Sequence, residues 1–110
     1  MFYAYTLDDI QDTAKNHPMA LLYFTRPDCD ECADLQPKIE RLVSQHPKLS
    51  GLVVDLSKIP MAASRFSIYA LPGVLVYVEG KPTISVVSEI DIAQLTAHVD
   101  GFYRELFFPA

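Results

Sequence analysis

The chain has little positive charge to offer. Nine Lys and Arg stand against fourteen Asp and Glu, a formal net charge of −5, and the cations are scattered singly. No basic stripe is present to neutralise phosphates, which argues against nucleic acid as a partner. An acidic membrane surface is an equally poor match. Long hydrophobic runs are missing too, for none approaches the roughly 20 apolar residues that cross a bilayer. Met1-Phe2-Tyr3-Ala4-Tyr5 has no basic flank and runs into Asp8 and Asp9, unlike the charged start and apolar stretch of a secretory signal. The expected location is the cytoplasm. Repeats, linkers and low-complexity segments are also lacking. The 110 residues read as one domain, residues 1–110, able to bury about two-thirds of the surface its unfolded chain exposes.

Cysteine is scarce, and the two present, Cys29 and Cys32, stand three apart. In a reducing compartment a single Cys pair is more often catalytic or metal-binding than structural. A zinc site needs about four ligands. There is no second Cys pair, and His17, His46 and His98 show no ligand spacing; the histidines read as surface or helix-end residues. Spacing alone leaves thiol exchange and metal binding both open, with exchange favoured.

What is there is an alternation of strands and helices. Phe2 to Tyr5 reads as a short strand. Thr6 is an N-cap with Asp9 three residues on, and the first helix stops before Pro18. Met19 to Phe24 is a continuous apolar run, as in a strand buried on both faces. Glu31 to Gln45 is helical, with Leu35, Ile39, Leu42, Val43 and His46 on one side. Pro37 falls inside this helix and predicts a kink. Leu52 to Leu56 is a third strand, and Ile59 to Phe66 a short helix with Pro60 in its first turn. Val74 to Val78 is rich in β-branched and aromatic residues, as in a strand. Glu79 to Pro82 is a turn, and Thr83 to Ser88 an edge strand to which Pro82 is suited. Ile92, Leu95, Val99, Phe102 and Leu106 line one face of a last helix. This order predicts an α/β fold, a central mixed sheet flanked by helices on both faces. The cysteines then lie beyond the carboxyl end of a central strand, where reaction sites of such sheets are found.

Cys29-Asp30-Glu31-Cys32 beside a βαβ pattern, together with Pro37, resembles the thioredoxin family. So do Phe66-Ser67-Ile68-Tyr69-Ala70-Leu71-Pro72, the strand Val74–Val78 with Glu79-Gly80-Lys81, and the last helix. The resemblance spans nearly the whole chain and implies the thioredoxin fold. It also implies thiol–disulfide exchange, in which Cys29 attacks a client disulfide and Cys32 resolves the mixed disulfide. Leu71, Pro72 and Gly73 would bind the client, with Pro72 cis and the Leu71 backbone pairing with an extended segment. No cofactor is implied beyond the redox-active Cys29–Cys32 disulfide. The implied partners are client protein disulfides and a thioredoxin reductase or another thiol donor, the chain acting as a monomer in cell redox homeostasis. The competing reading is a non-catalytic binding or redox-sensing module.

Several positions depart from the family's pattern. The usual tryptophan before the first cysteine is Asp28, the Gly-Pro between the cysteines is Asp30-Glu31, and the threonine after the cis-proline is Gly73. The buried carboxylate of the preceding strand is replaced by Tyr23, which reads as a core residue rather than an acid catalyst. A helix N-terminus favours the Cys29 thiolate. Asp28, Asp30, Glu31 and Asp34 oppose it, each by about 1 kcal/mol at roughly 7 Å and an effective dielectric near 40. Arg26 offsets one of them. The expected outcome is a Cys29 that ionises less readily than is usual for the family, and therefore a reducing couple. For Asp34 the ordinary role of an acid in a helix's first turn is sufficient.

Overall fold

The apolar run beginning at Met19 forms the strand on which the other layers are laid. The computed structural model describes residues 1–110. In chain order the elements are β1 (Phe2–Tyr3), α1 (Leu7–Asn16), β2 (Met19–Thr25), α2 (Asp30–Ser44), β3 (Ser50–Asp55), α3 (Met61–Arg65), β4 (Gly73–Val78), β5 (Lys81–Val87) and α4 (Ile92–Phe107). The strands form one sheet in the order β1-β3-β2-β4-β5. β1, β3 and β2 run parallel, while β4 and β5 are antiparallel to their neighbours. The sheet is mixed, as the sequence predicts.

Every residue of β2 is buried, and successive side chains point to opposite faces. Leu21 and Tyr23 join one core with Ile39 and Leu42 of α2 and Leu95, Val99 and Tyr103 of α4. Leu22 and Phe24 join the other, with Ile10 and Ala14 of α1 and Ala62 of α3. Each fully buried Leu or Ile in these layers contributes roughly 1.5–3 kcal/mol relative to exposure. Both faces of the sheet are therefore covered. No helix is long and apolar enough to cross a membrane.

Local chemistry fixes the ends of these elements. Thr6 and Asp9 form a reciprocal capping box at the start of α1, satisfying two donors that the first turn leaves free. Glu79 and Gly80 both have positive φ, 51° and 77°, and make the two-residue hairpin turn between Val78 and Lys81. Between Val76 and Tyr77 the pairing with β5 shifts register, and Pro82 stands opposite Tyr77. Lacking an N–H, Pro82 is suited to this irregular stretch of an edge strand.

Some boundaries and faces differ from those expected. β1 ends at Tyr3, β3 begins at Ser50, and Lys81 and Pro82 belong to β5 rather than to a turn. Pro60 caps α3 instead of entering it. In α4 the inward aromatic is Tyr103, while Phe102 faces solvent. Stepping by four from Leu95 and Val99 reaches Tyr103, and its hydroxyl accepts the Lys48 N–H at 3.0 Å. His46 is at a helix end but is buried rather than on the surface. Its Nδ1 meets the Leu42 carbonyl at 2.8 Å, and its ring lies edge-on to Tyr103.

Candidate functional site

The strand β2 ends at Thr25, and the loop Arg26–Asp28 carries the chain over the sheet edge into α2. Cys29 is the N-cap of that helix, and its Sγ accepts the backbone N–H of Cys32 at 3.1 Å. The two residues are joined as a disulfide, with their Cα atoms 5.2 Å apart. Cys29 is partly exposed and Cys32 is fully buried. Nucleophilic reagents from solvent therefore meet the Cys29 sulfur first. A sulfur in the N-cap position faces the free N–H groups and the positive end of the helix dipole, which favour negative charge.

Carboxylates surround this position. Asp28, Asp30, Glu31 and Asp34 are all exposed, and Arg26 pairs with Asp28 at 3.3 Å. Glu31 and Leu35 of α2 face a cleft of about 460 Å³ that is closed on its other side by Pro72, Ser88, Glu89, Ile90 and Asp91. Glu31, Glu89 and Asp91 have no cationic partner. A second cleft, of about 520 Å³, lies against Ala33 and Gln36 and contains Arg26 and Lys58. The start of α2 thus has an anionic side and a side of mixed charge, where Arg26 and Lys58 stand with Asp55. The contributions of Glu89 and Asp91 were not legible locally, because strand pairing brings the β5–α4 connection beside α2.

The segment expected to bind a client borders the first cleft. The Leu71–Pro72 peptide bond is cis, and Pro72 is buried. Its carbonyl accepts the Ser88 N–H at 2.8 Å, tying the end of β5 to this loop. The N–H and C=O of Leu71 take part in no main-chain hydrogen bond of the fold. Gly73 opens β4, and a Cβ there would stand 3.3 Å from Ile68 Cγ2 and 3.5 Å from Phe24 Cβ. The threonine usual in the family has no room unless Ile68 yields.

Tyr23 is in the core, as expected, but its hydroxyl reaches the site. It donates to the Cys32 carbonyl at 2.6 Å. Burial pushes its pKa above the ordinary value of a phenol, so the group stays protonated. Sequence identifies the ring as buried; the partner of the hydroxyl depends on how closely α2 packs over β2. No cluster of three or more His, Cys, Asp or Glu side chains has the arrangement of a metal site.

Comparison with known proteins gives one consistent result. The thioredoxin family model matches residues 5–101. The thioredoxin-like protein YdfQ of Bacillus subtilis is 23% identical over 100 residues, covering 91% of this chain and 89% of that protein. Thioredoxin-2 of Pyricularia oryzae is 28% identical over 79 residues, covering 72% of this chain but 46% of its own length. The oxidised mitochondrial thioredoxin 3 of Saccharomyces cerevisiae shares the fold with a TM-score of 0.84 at 16% identity, over 92% of this chain and 94% of that one. With a disulfide at the head of α2 and a sheet of the matching order, the chain belongs to the thioredoxin family.

Proposed function

We propose that this chain is a thiol–disulfide oxidoreductase that reduces protein disulfides through Cys29 and Cys32. The observation carrying this reading is the disulfide itself, bonded across the first turn of α2 with its solvent-side sulfur in the N-cap position. In the reduced protein the Cys29 thiolate attacks one sulfur of a client disulfide, and the client's other sulfur leaves as a thiolate. Cys32 loses its proton and attacks Cys29 Sγ in the mixed disulfide. The second client sulfur departs, the Cys29–Cys32 bond forms, and two electrons have passed to the client. The client lies along Leu71, Pro72 and Gly73, where the unpaired Leu71 backbone supports pairing with an extended segment.

The carboxylates around Cys29 support a reducing couple, since they raise the energy of the thiolate and so favour the disulfide form. The redox pair is the only cofactor required. A thioredoxin reductase or another cytoplasmic thiol donor regenerates the dithiol, and the monomer contributes to cell redox homeostasis. Insulin reduction tests the reading. Wild-type protein should precipitate insulin chains in the presence of a thiol donor, and Cys29→Ser and Cys32→Ser should each lose that rate. Absence of activity in the wild type would instead favour a module that binds partners without turning them over.

A further inference from the structure

One buried titratable group lies under the disulfide and has no part in the exchange steps. Tyr23 is fully buried on β2, on the face that packs against α2. Its hydroxyl meets the carbonyl of the resolving cysteine at 2.6 Å. Cys32 is thereby held at both ends of its backbone, with its N–H on Cys29 Sγ and its C=O on Tyr23. Only the second of these contacts comes from outside the active-site segment, and it does not depend on the S–S bond.

That difference matters during turnover. While the disulfide is intact, the covalent bond fixes Cys32 relative to Cys29. Once the pair is reduced and Cys29 is bonded to a client, the covalent tie is gone. Cys32 must still place its sulfur in line with the mixed disulfide. The N-terminal turn of a helix frays readily, since its first N–H groups have no intrahelical acceptors. A bond from the rigid central strand to the carbonyl of residue 32 opposes that fraying at the residue that must attack.

We infer that Tyr23 is the positioning residue of the resolving step, holding Cys32 through its carbonyl so that the mixed disulfide is resolved in place. The inference rests on the oxidoreductase reading above. Tyr23 touches neither sulfur as a hydrogen-bond donor, and its proton is committed to the carbonyl. Its effect is geometric, and the proton that Cys32 gives up leaves with the departing client thiol.

The two steps separate in a single-turnover stopped-flow experiment with reduced protein and excess 5,5′-dithiobis(2-nitrobenzoate). Attack by Cys29 releases one coloured thiolate, and resolution by Cys32 releases a second. Cys32→Ser identifies the second phase by removing it. Tyr23→Phe keeps the ring and deletes only the hydroxyl. The first phase should stay within about twofold of wild type, while the second slows roughly five- to tenfold, the loss of one buried hydrogen bond. Melting temperatures of the oxidised proteins, recorded alongside, verify that the variant is folded. Equal slowing of both phases would show a merely structural role and overturn the inference. So would a second phase unchanged from wild type. If wild-type protein releases no coloured thiolate at all, the oxidoreductase reading itself fails, an outcome distinct from either.

Discussion

Replacing Asp30 by Asn and Glu31 by Gln removes two charges beside Cys29 while preserving side-chain shape. Both carboxylates are in the first turn of the helix that Cys29 caps, and both are exposed. At roughly 7 Å and an effective dielectric near 40, each opposes a thiolate by about 1 kcal/mol. Exposure to solvent and salt halves this, to about 0.5 kcal/mol each. Together they amount to about 1 kcal/mol, which is roughly fivefold in the population of thiolate at neutral pH. The assay is alkylation of the reduced protein by iodoacetamide, an uncharged reagent whose own approach the carboxylates do not steer. The double variant should react about fivefold faster at pH 7. In 1 M salt, where the screening length falls to about 3 Å, wild-type protein should approach the variant. The same acids stabilise the N-terminus of α2, by about 0.3–1 kcal/mol each, so the faster variant should also melt at a lower temperature. Unchanged reactivity, or a gap that persists undiminished in high salt, would refute the electrostatic reasoning. A reactive thiolate gained without a shift of the couple toward a more oxidising potential would refute its redox corollary.

Further outcomes follow from other parts of the molecule. Glu89 faces the Pro72 cleft without a cationic partner; Glu89→Lys should slow reduction of a peptide disulfide flanked by lysines and speed that of one flanked by aspartates, a contrast that vanishes in high salt. Burial raises the pKa values of Tyr23 and Tyr77, so above pH 10 the unfolded chain binds fewer protons than the folded one. Stability should fall there with rising pH, by up to about 1.4 kcal/mol per unit for the buried Tyr23 and by less for the partly exposed Tyr77, and urea midpoints in Tyr23→Phe should show a shallower fall. A Cβ at Gly51 would meet Met1 Cγ and Val43 Cγ1, both at 2.9 Å; Gly51→Ala should lower the urea-unfolding free energy by about 1–3 kcal/mol if Val43 holds its place.

The layers of the fold were legible because each one rests on a strong local signal. An uninterrupted apolar run is what a strand covered on both faces requires, and Met19–Phe24 has it. The cap at Thr6 and the break at Pro18 bound the helix that precedes it. The faces of α4 were less legible, since Phe102 and Tyr103 are neighbours and either fits an apolar stripe. The choice is made by distant partners, the Lys48 N–H and the His46 ring. The same holds for the site. Cys29, Cys32 and their acids stand in one short segment and could be read together. Glu89 and Asp91 reach the cleft only through the pairing of β4 with β5, and the Tyr23 hydroxyl reaches Cys32 only through the packing of α2 on β2. Sequence reports residue types and local spacing, and these contacts depend on neither.

The two ends of the sheet have a bearing on solubility. β1 presents two residues to any incoming chain, too few to template a stable pairing. β5 begins with a lysine and a proline and pairs irregularly with β4, features that discourage edge-to-edge association between copies. An extended polypeptide seeking a partner strand is thus turned away at both margins. Unpaired backbone remains at Leu71, in a loop beside the acidic cleft. Client capture at Leu71, as proposed above, would use backbone that lies apart from both margins of the sheet.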